Sequence, residues 1–223
     1  MEQENKLEDY DICRECGGKC CIKCGCDYSA LDFDDLSYNK LCEILSEGKI
    51  SIVSMVNFRK IPNGKTIADL FLYLRARNTD RDVVDLISMK TKCSLLTENG
   101  CSYSYDERPT GGKNLVPVSG GRCYPNEDPY ELMESWRPYQ NSLRKVVKRY
   151  TGKSVESRAK EDVENLFYRV LCKDFEGVAP LEMADLCGFV PMLMEVYPDE
   201  VNKAKIKYNS QKCKILNNSQ FRK

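Results

Sequence analysis

Cys13 to Cys26 reads CRECGGKCCIKCGC, six thiols and three glycines in fourteen residues. Such a composition has poor helix and strand propensity and takes one shape only when a metal or cross-links hold it. The glycines point to metal. A Cys-x-x-Cys-Gly turn needs residues that tolerate positive φ and lets backbone N–H groups face the sulfurs. Cys13-Arg14-Glu15-Cys16-Gly17-Gly18 has that form, and Cys21-Ile22-Lys23-Cys24-Gly25 repeats it. Two such knuckles supply four thiolates, enough for one tetrahedral Zn²⁺ or one iron–sulfur cluster. Only four residues separate them, so a self-contained site would be cramped, and the adjacent Cys20 and Cys21 point their side chains apart. These two are expected to serve different sites, or one of them to stand behind the ligands.

Outward from this stretch, the 223 residues carry 42% hydrophobic side chains, enough to bury a core. The 34 acidic and 34 basic side chains cancel, so no global field favours nucleic acid or an anionic membrane. No stretch approaches the roughly 20 apolar residues of a transmembrane helix. The start, Met1 to Asp11, is acidic and polar, unlike a secretory signal. The expected location is therefore cytoplasmic, where thiols stay reduced and thirteen cysteines favour metal ligation over disulfides. The chain has no histidine. That removes the commonest nitrogen ligand and the commonest neutral-pH acid–base, leaving thiolates for Zn²⁺ or an iron–sulfur cluster.

A second group of thiols, Cys93, Cys101 and Cys123, lies among turn signals at Glu98-Asn99-Gly100, Arg108-Pro109, Gly111-Gly112 and Gly120-Gly121. Loops of this kind can fold back toward the first group. Between the two groups, Asp32 is placed to cap a helix running to Gly48, with Leu36, Leu41, Ile44 and Leu45 as its apolar face. Cys42 within it reads as a packing residue. Lys49–Phe58 and Thr66–Arg77, joined by Pro62-Asn63-Gly64, read as a β-hairpin. Its late arginines, Arg75 and Arg77, suit either a carboxylate partner or a solvated strand end. Asp82–Met89 fits a short helix or a strand.

The motif Cys-x-x-Cys-Gly-Gly-x-Cys-Cys at Cys13–Cys21 is followed by Cys-x-Leu-Leu…Gly-Cys-Ser…Arg-Pro at Cys93–Pro109 and by Cys-Tyr-Pro at Cys123–Pro125. In combination these resemble the YkgJ-type cysteine-cluster family, a zinc- or iron-chelating domain related to the flagellin lysine N-methylases. The resemblance covers a little over half of the chain. It implies metal ligation by Cys13, Cys16, Cys20, Cys21, Cys93, Cys101 and Cys123; Cys26 completes a set of eight, which suits two four-coordinate sites or one cluster with spare thiols. The chain departs from the family pattern after Arg108-Pro109, where Thr110-Gly111-Gly112-Lys113 stands and the next thiol is delayed to Cys123. A protein-modifying enzyme of the lysine N-methylase type, using S-adenosylmethionine, is an alternative implied by the same resemblance. No S-adenosylmethionine loop is recognisable, and the spacing Cys16-x₃-Cys20 continues to Cys21 and Cys24 rather than to a radical motif. A further alternative is an interaction module in which metal stiffens loops that show Arg75, Arg77 and Arg108 to a protein partner or substrate.

The C-terminal part reads as helical. Asp128-Pro129 opens a helix carrying Leu132, Met133 and Trp136 until Pro138; a second runs Tyr139–Tyr150 to Gly152; a third, about Ser154–Phe175, is ended by Gly177 and Pro180. Leu181–Tyr197 is an apolar helix around Met183, Leu186, Phe189 and Met192 to Met194, and Lys203–Lys223 reads as a frayed tail. Cys172 and Cys187 are expected to be packing residues. No Walker loop, dinucleotide fingerprint, nucleophile elbow or HExxH helix is present. The fold expected is α+β, one domain over 1–223, with a metal-stabilised cysteine-rich half at about 1–126 containing a small hairpin or sheet, packed on a helical half at about 127–223.

Overall fold

Among the described residues the hairpin is the longest regular piece of the N-terminal half. A computed structural model describes residues 21, 26–76, 82–87, 93–98, 100–104, 106–118, 122–125, 129–174 and 189–220. In it β2 (Ile50–Lys60) and β3 (Thr66–Ala76) pair antiparallel from Ile50 opposite Ala76 to Lys60 opposite Thr66. The turn falls at the expected Pro62-Asn63-Gly64, where Gly64 takes φ +81° and donates its N–H to Ile61 O at 2.8 Å. The two-residue strand β1 (Cys26–Asp27) lies on the other edge of β3, giving the order β1-β3-β2. Residues 82–87, ambiguous in sequence, form neither a helix nor a regular strand: one isolated parallel bridge, Ile52 with Val84, sets them beside β2, Ile52 donating to Val83 O at 2.8 Å and accepting from Asp85 N–H at 3.0 Å, and the chain turns at Leu86 and Ile87. Ser88 and Met89 lie outside the described residues.

The first helix differs from expectation. Asp32 closes a short 3₁₀ turn, Ala30–Asp32, by accepting the Ser29 N–H at 2.9 Å, and α1 (Tyr38–Ser46) starts only after Ser37. Asp35 is the reason: its carboxylate takes the Ser37 N–H at 2.7 Å in a side-chain turn, so the helix nucleates at the next cap. Leu36 and Leu41 occupy the positions of a hydrophobic staple and both are buried. The stop at Gly48 stands, with φ +76°.

Two small hairpins follow, β4 (Leu96–Thr97) with β5 (Gly100–Cys101) and β6 (Leu115–Val118) with β7 (Arg122–Pro125), the short helix α2 (Thr110–Lys113) lying between them. The helical half begins with α3 (Pro129–Glu134) and a 3₁₀ turn at Arg137–Tyr139, leading into α4 (Gln140–Thr151) and α5 (Val155–Cys172). Helix α4 buries Leu143, Val146 and Val147 and packs on α1 and β3. The Gln140 amide completes the seal, because β1 covers β3 only at Arg75 and Ala76: Gln140 accepts the Leu72 N–H at 2.9 Å and donates to Leu72 O at 2.8 Å.

Helix α5, capped by Ser154, stops at Cys172 rather than near Phe175, Lys173 adopting φ +54° and Asp174 donating to Arg169 O. Residues 175–188, with Met183, Leu186 and Cys187, lie outside the described residues. Residues 189–196 are helical, with Leu193 buried and Met194 facing outward. Of the stretch expected to fray, residues 203–220 belong instead to a long helix, α6 (Pro198–Gln220), which packs on α5 through Val201 and Ala204, and residues 221–223 lie outside the described residues. Pro198 with Asp199 and Glu200 is a good helix start, and the apolar stripe behind it is only narrow because Ala204 needs no bulk to make contact. The mixed α+β class holds. Among the described residues no helix is long and apolar enough to cross a membrane.

Helix α5 is tied to the 82–87 segment by Asp162. Its carboxylate accepts the Leu86 N–H at 2.9 Å and pairs with Arg158 Nε at 2.8 Å, while Arg158 also reaches Asp82 at 3.0 Å. Burial, together with Asp85 and Glu161, outweighs Arg158 and pushes the Asp162 carboxyl up to about 7 from its ordinary 3.8. The folded chain then holds this proton more tightly than the unfolded chain. The resulting stabilisation is full below about pH 4 and is lost as pH rises toward 7. Urea unfolding at pH 5 and pH 7.5 is expected to show wild type losing stability between the two, and Asp162→Asn, which keeps the acceptor for Leu86, losing distinctly less. Equal losses would clear Asp162 as the source.

Candidate metal centre

Cys26 is fixed by its strand. It lies opposite Ala76 of β3 and is buried, and the chain continues along the same edge with Tyr28 N–H donating to Leu74 O at 3.0 Å. The Tyr28 carbonyl in turn accepts the Trp136 indole N–H at 2.7 Å, fastening this edge to the helical half. Asp27 faces Arg75 across the register, and the pair is bidentate: Nε to Oδ1 at 2.5 Å and a terminal nitrogen to Oδ2 at 3.2 Å. Arg75 also donates to the Tyr73 hydroxyl at 2.8 Å, and burial pushes the ionisation of that hydroxyl upward. Arg75 is therefore neither a solvated strand end nor a group on display to a partner. Its carboxylate partner is internal, and Arg77 lies outside the described residues.

Helix α2 presses on this strand from outside. A β-carbon on Gly111 would stand 2.6 Å from Asp27 O, and one on Gly112 would stand 2.7 Å from Cys26 Sγ. Only glycine permits so close an approach. Asp32 holds the segment down, accepting from Thr110 N–H at 2.9 Å and from Thr110 Oγ1 at 2.7 Å. The Arg108 side chain flanks Gly112, and its Nε is enclosed.

From the second group, Cys93 reaches the first. Its N–H donates to Cys21 O at 2.6 Å, its side chain is buried, and its sulfur accepts the Leu95 N–H at 3.4 Å. Both Cys26 and Cys93 lie within electrostatic range of the Tyr28 hydroxyl, whose ionisation is pushed up by burial first and then by Tyr103, Cys26, Cys93 and Asp32. Cys101 lies half-buried in β5 opposite Leu96, whose N–H donates to Cys93 O, so the small hairpin hangs directly from Cys93.

The structure thus joins Cys93 to Cys21 through backbone and sets Cys26 and Cys93 each within range of the Tyr28 hydroxyl, with Cys101 one hairpin from Cys93. Cys13, Cys16 and Cys20 lie outside the described residues, as does the side chain of Cys123, whose backbone is in β7. Among the described residues no three Cys, Asp or Glu side chains are placed to hold one metal ion. None of Cys21, Cys26, Cys42, Cys93, Cys101 and Cys172 is disulfide-bonded. Cys42 is half-buried on α1, as a packing residue should be, whereas Cys172 is exposed at the end of α5 and does not fill the core. The sequence reading missed Tyr28, Asp27 and the Gly111-Gly112 contact. Paired glycines after Arg-Pro were a signal for close backbone approach, but not of what they approach. No protein-family model, curated protein or solved structure matches this chain.

Proposed function

We propose that this is a metal-binding cysteine-cluster protein, holding zinc or an iron–sulfur cluster through thiolates drawn from Cys13, Cys16, Cys20, Cys21, Cys26, Cys93, Cys101 and Cys123. The observation that carries this reading is the seat of Cys93, hydrogen-bonded through its backbone to Cys21 while its sulfur receives the Leu95 N–H. A loop closure joining two distant thiol groups, with an N–H directed at one sulfur, is what a shared thiolate site requires. The lack of histidine confines the donor set to sulfur and carboxylate, and the likeness of the motifs to the YkgJ-type family points the same way. Closed four-thiolate zinc would be structural, coupling binding to folding by on the order of 10 kcal/mol; an iron–sulfur centre would supply electron transfer or an open iron for substrate.

Anaerobic purification followed by metal analysis and a visible spectrum tests this directly. At least one equivalent of zinc or one iron–sulfur cluster per chain is expected. Brown colour with absorbance near 400 nm would exclude a purely structural zinc site, and stoichiometric colourless zinc would exclude the redox role. Protein that folds fully without metal would end the proposal.

A further inference from the structure

We propose that the uncovered edge of β3, at Ala68 and Leu70, takes an extended acidic segment of a partner protein as an added strand. The site uses none of the thiols, so it stands or falls apart from the metal-binding reading. Alternation along the strand decides which way each backbone group points. On the β1 side, Leu74 O accepts from Tyr28 N–H, and the Gln140 amide takes both the N–H and the carbonyl of Leu72. Register with β2 runs unbroken to Thr66, so Leu70 and Ala68 turn their N–H and carbonyl groups the same way, away from β2. The pairing of β1 reaches only Arg75 and Ala76, and among the described residues nothing bonds these four groups. A strand edge left in this state is a template for a further strand.

The edge opens into a cleft. Residues 65–70 form one side, and Arg144 of α4, Glu156 and Lys160 of α5, and Val196 with Tyr197 form the other, enclosing about 320 Å³. One extended chain fits such a space, whereas a second copy pairing through the same edge would bring its own α4 and α5 against these walls and set lysine against lysine. Charge selects the occupant. The acids of the cleft are committed, Glu156 to Arg144 at 2.6 Å and Asp69 to Arg59. Lys65 and Lys160 are exposed and have no acidic partner among the described residues, so the cleft carries two positive charges with no local counter-charge. Val196 and Tyr197 add apolar surface beside them. An extended strand sends successive side chains to opposite sides, so a segment alternating apolar residues with glutamate or aspartate satisfies both. Backbone pairing supplies the affinity of such a contact and the side chains its selectivity.

Amide exchange and peptide binding on the full chain, as purified, test this. In the free protein the amides of Ala68 and Leu70 are expected to exchange about tenfold or more faster than those of Asp69 and Phe71, which face β2. The probe is an array of blocked heptapeptides that alternate glutamate with valine, leucine or tyrosine, beside a matched array with lysine in place of glutamate. Glutamate peptides are expected to bind and to slow exchange at both amides, and lysine peptides to bind about tenfold more weakly. Ala68→Pro removes one outward N–H, a change that an edge strand tolerates, and should weaken binding about tenfold with native circular dichroism. Reversing both charges, Lys65→Glu with Lys160→Glu, should weaken glutamate peptides to a similar degree and turn the preference toward lysine peptides. If Ala68→Pro does not fold, the charge reversal decides. Absence of binding from every glutamate peptide, or equal binding of the two arrays, would overturn the proposal. Slow exchange of both amides in the free monomer would show that the chain covers its own edge, and protection that appears only with dimer formation would make the occupant a second copy; either result overturns it too.

Discussion

Cys93→Ser and Cys101→Ser are each expected to lower bound metal per chain and to expose the thiols of Cys13 to Cys26 to alkylation, whereas Cys42→Ser and Cys172→Ser should leave metal content unchanged. The structure sharpens the contrast. Serine at 93 keeps the N–H that donates to Cys21 O, because that bond is made by backbone. What it loses is the sulfur that receives the Leu95 N–H in a buried position. Any effect on metal is thus an effect of the thiol and not of the loop closure. A missing ligand leaves an incomplete charged site inside the fold and should cost several kcal/mol. At Cys42, half-buried on α1, the cost is that of placing a hydroxyl against the core, roughly 1–3 kcal/mol. At exposed Cys172 it should be close to nothing. Mass-spectrometric mapping of alkylated cysteines with parallel metal analysis decides the matter. Full metal occupancy in both the Cys93 and Cys101 variants would make the N-terminal stretch self-sufficient, and the shared site would have to be given up.

The elements legible in the sequence are those whose signals are local. Loose apolar alternation before Pro62-Asn63-Gly64 and an apolar run after it are enough to mark the hairpin, and Ser154 before a 3.6-residue pattern is enough to start α5. Gly48 and Gly152 mark helix ends because both take left-handed backbone, φ +76° and +68°. The misplaced features depend on partners far along the chain. Arg75 ends a strand and looks solvated until register sets it opposite Asp27, 48 residues earlier. Asp32 has the chemistry of a helix cap, yet its acceptors are used by Ser29 and by Thr110, 78 residues away. The tail beyond Lys203 is polar enough to fray, and α5 offers it a surface that composition does not reveal. For the site, sequence named the thiols but not their enclosure. Packing of Gly112 on Cys26 and donation from Cys93 to Cys21 are tertiary facts with no local periodicity to announce them.

The second large effect is expected at Trp136, where the two halves of the chain are joined. The indole is fully buried, stands edge-on to Phe33 and Tyr139, and spends its only donor on the carbonyl of Tyr28. Truncation to alanine removes the largest enclosed side chain and should cost about 3–5 kcal/mol, most of it as a cavity between α3 and the β1 edge. Phenylalanine keeps much of the apolar bulk but leaves the Tyr28 carbonyl without its indole donor, for about 1–3 kcal/mol. Because Tyr28 lies two residues from Cys26 on the same edge of β3, loosening it also loosens the strand that α2 clamps. Trp136→Ala should therefore shift metal release and loss of helical circular dichroism together, to lower temperature and with coincident midpoints. Two separated midpoints would mean that the cysteine-rich and helical halves melt independently. Stability of Trp136→Phe within about 0.5 kcal/mol of wild type, a margin usual for an uninvolved surface position, would show that the indole–Tyr28 bond does not couple them.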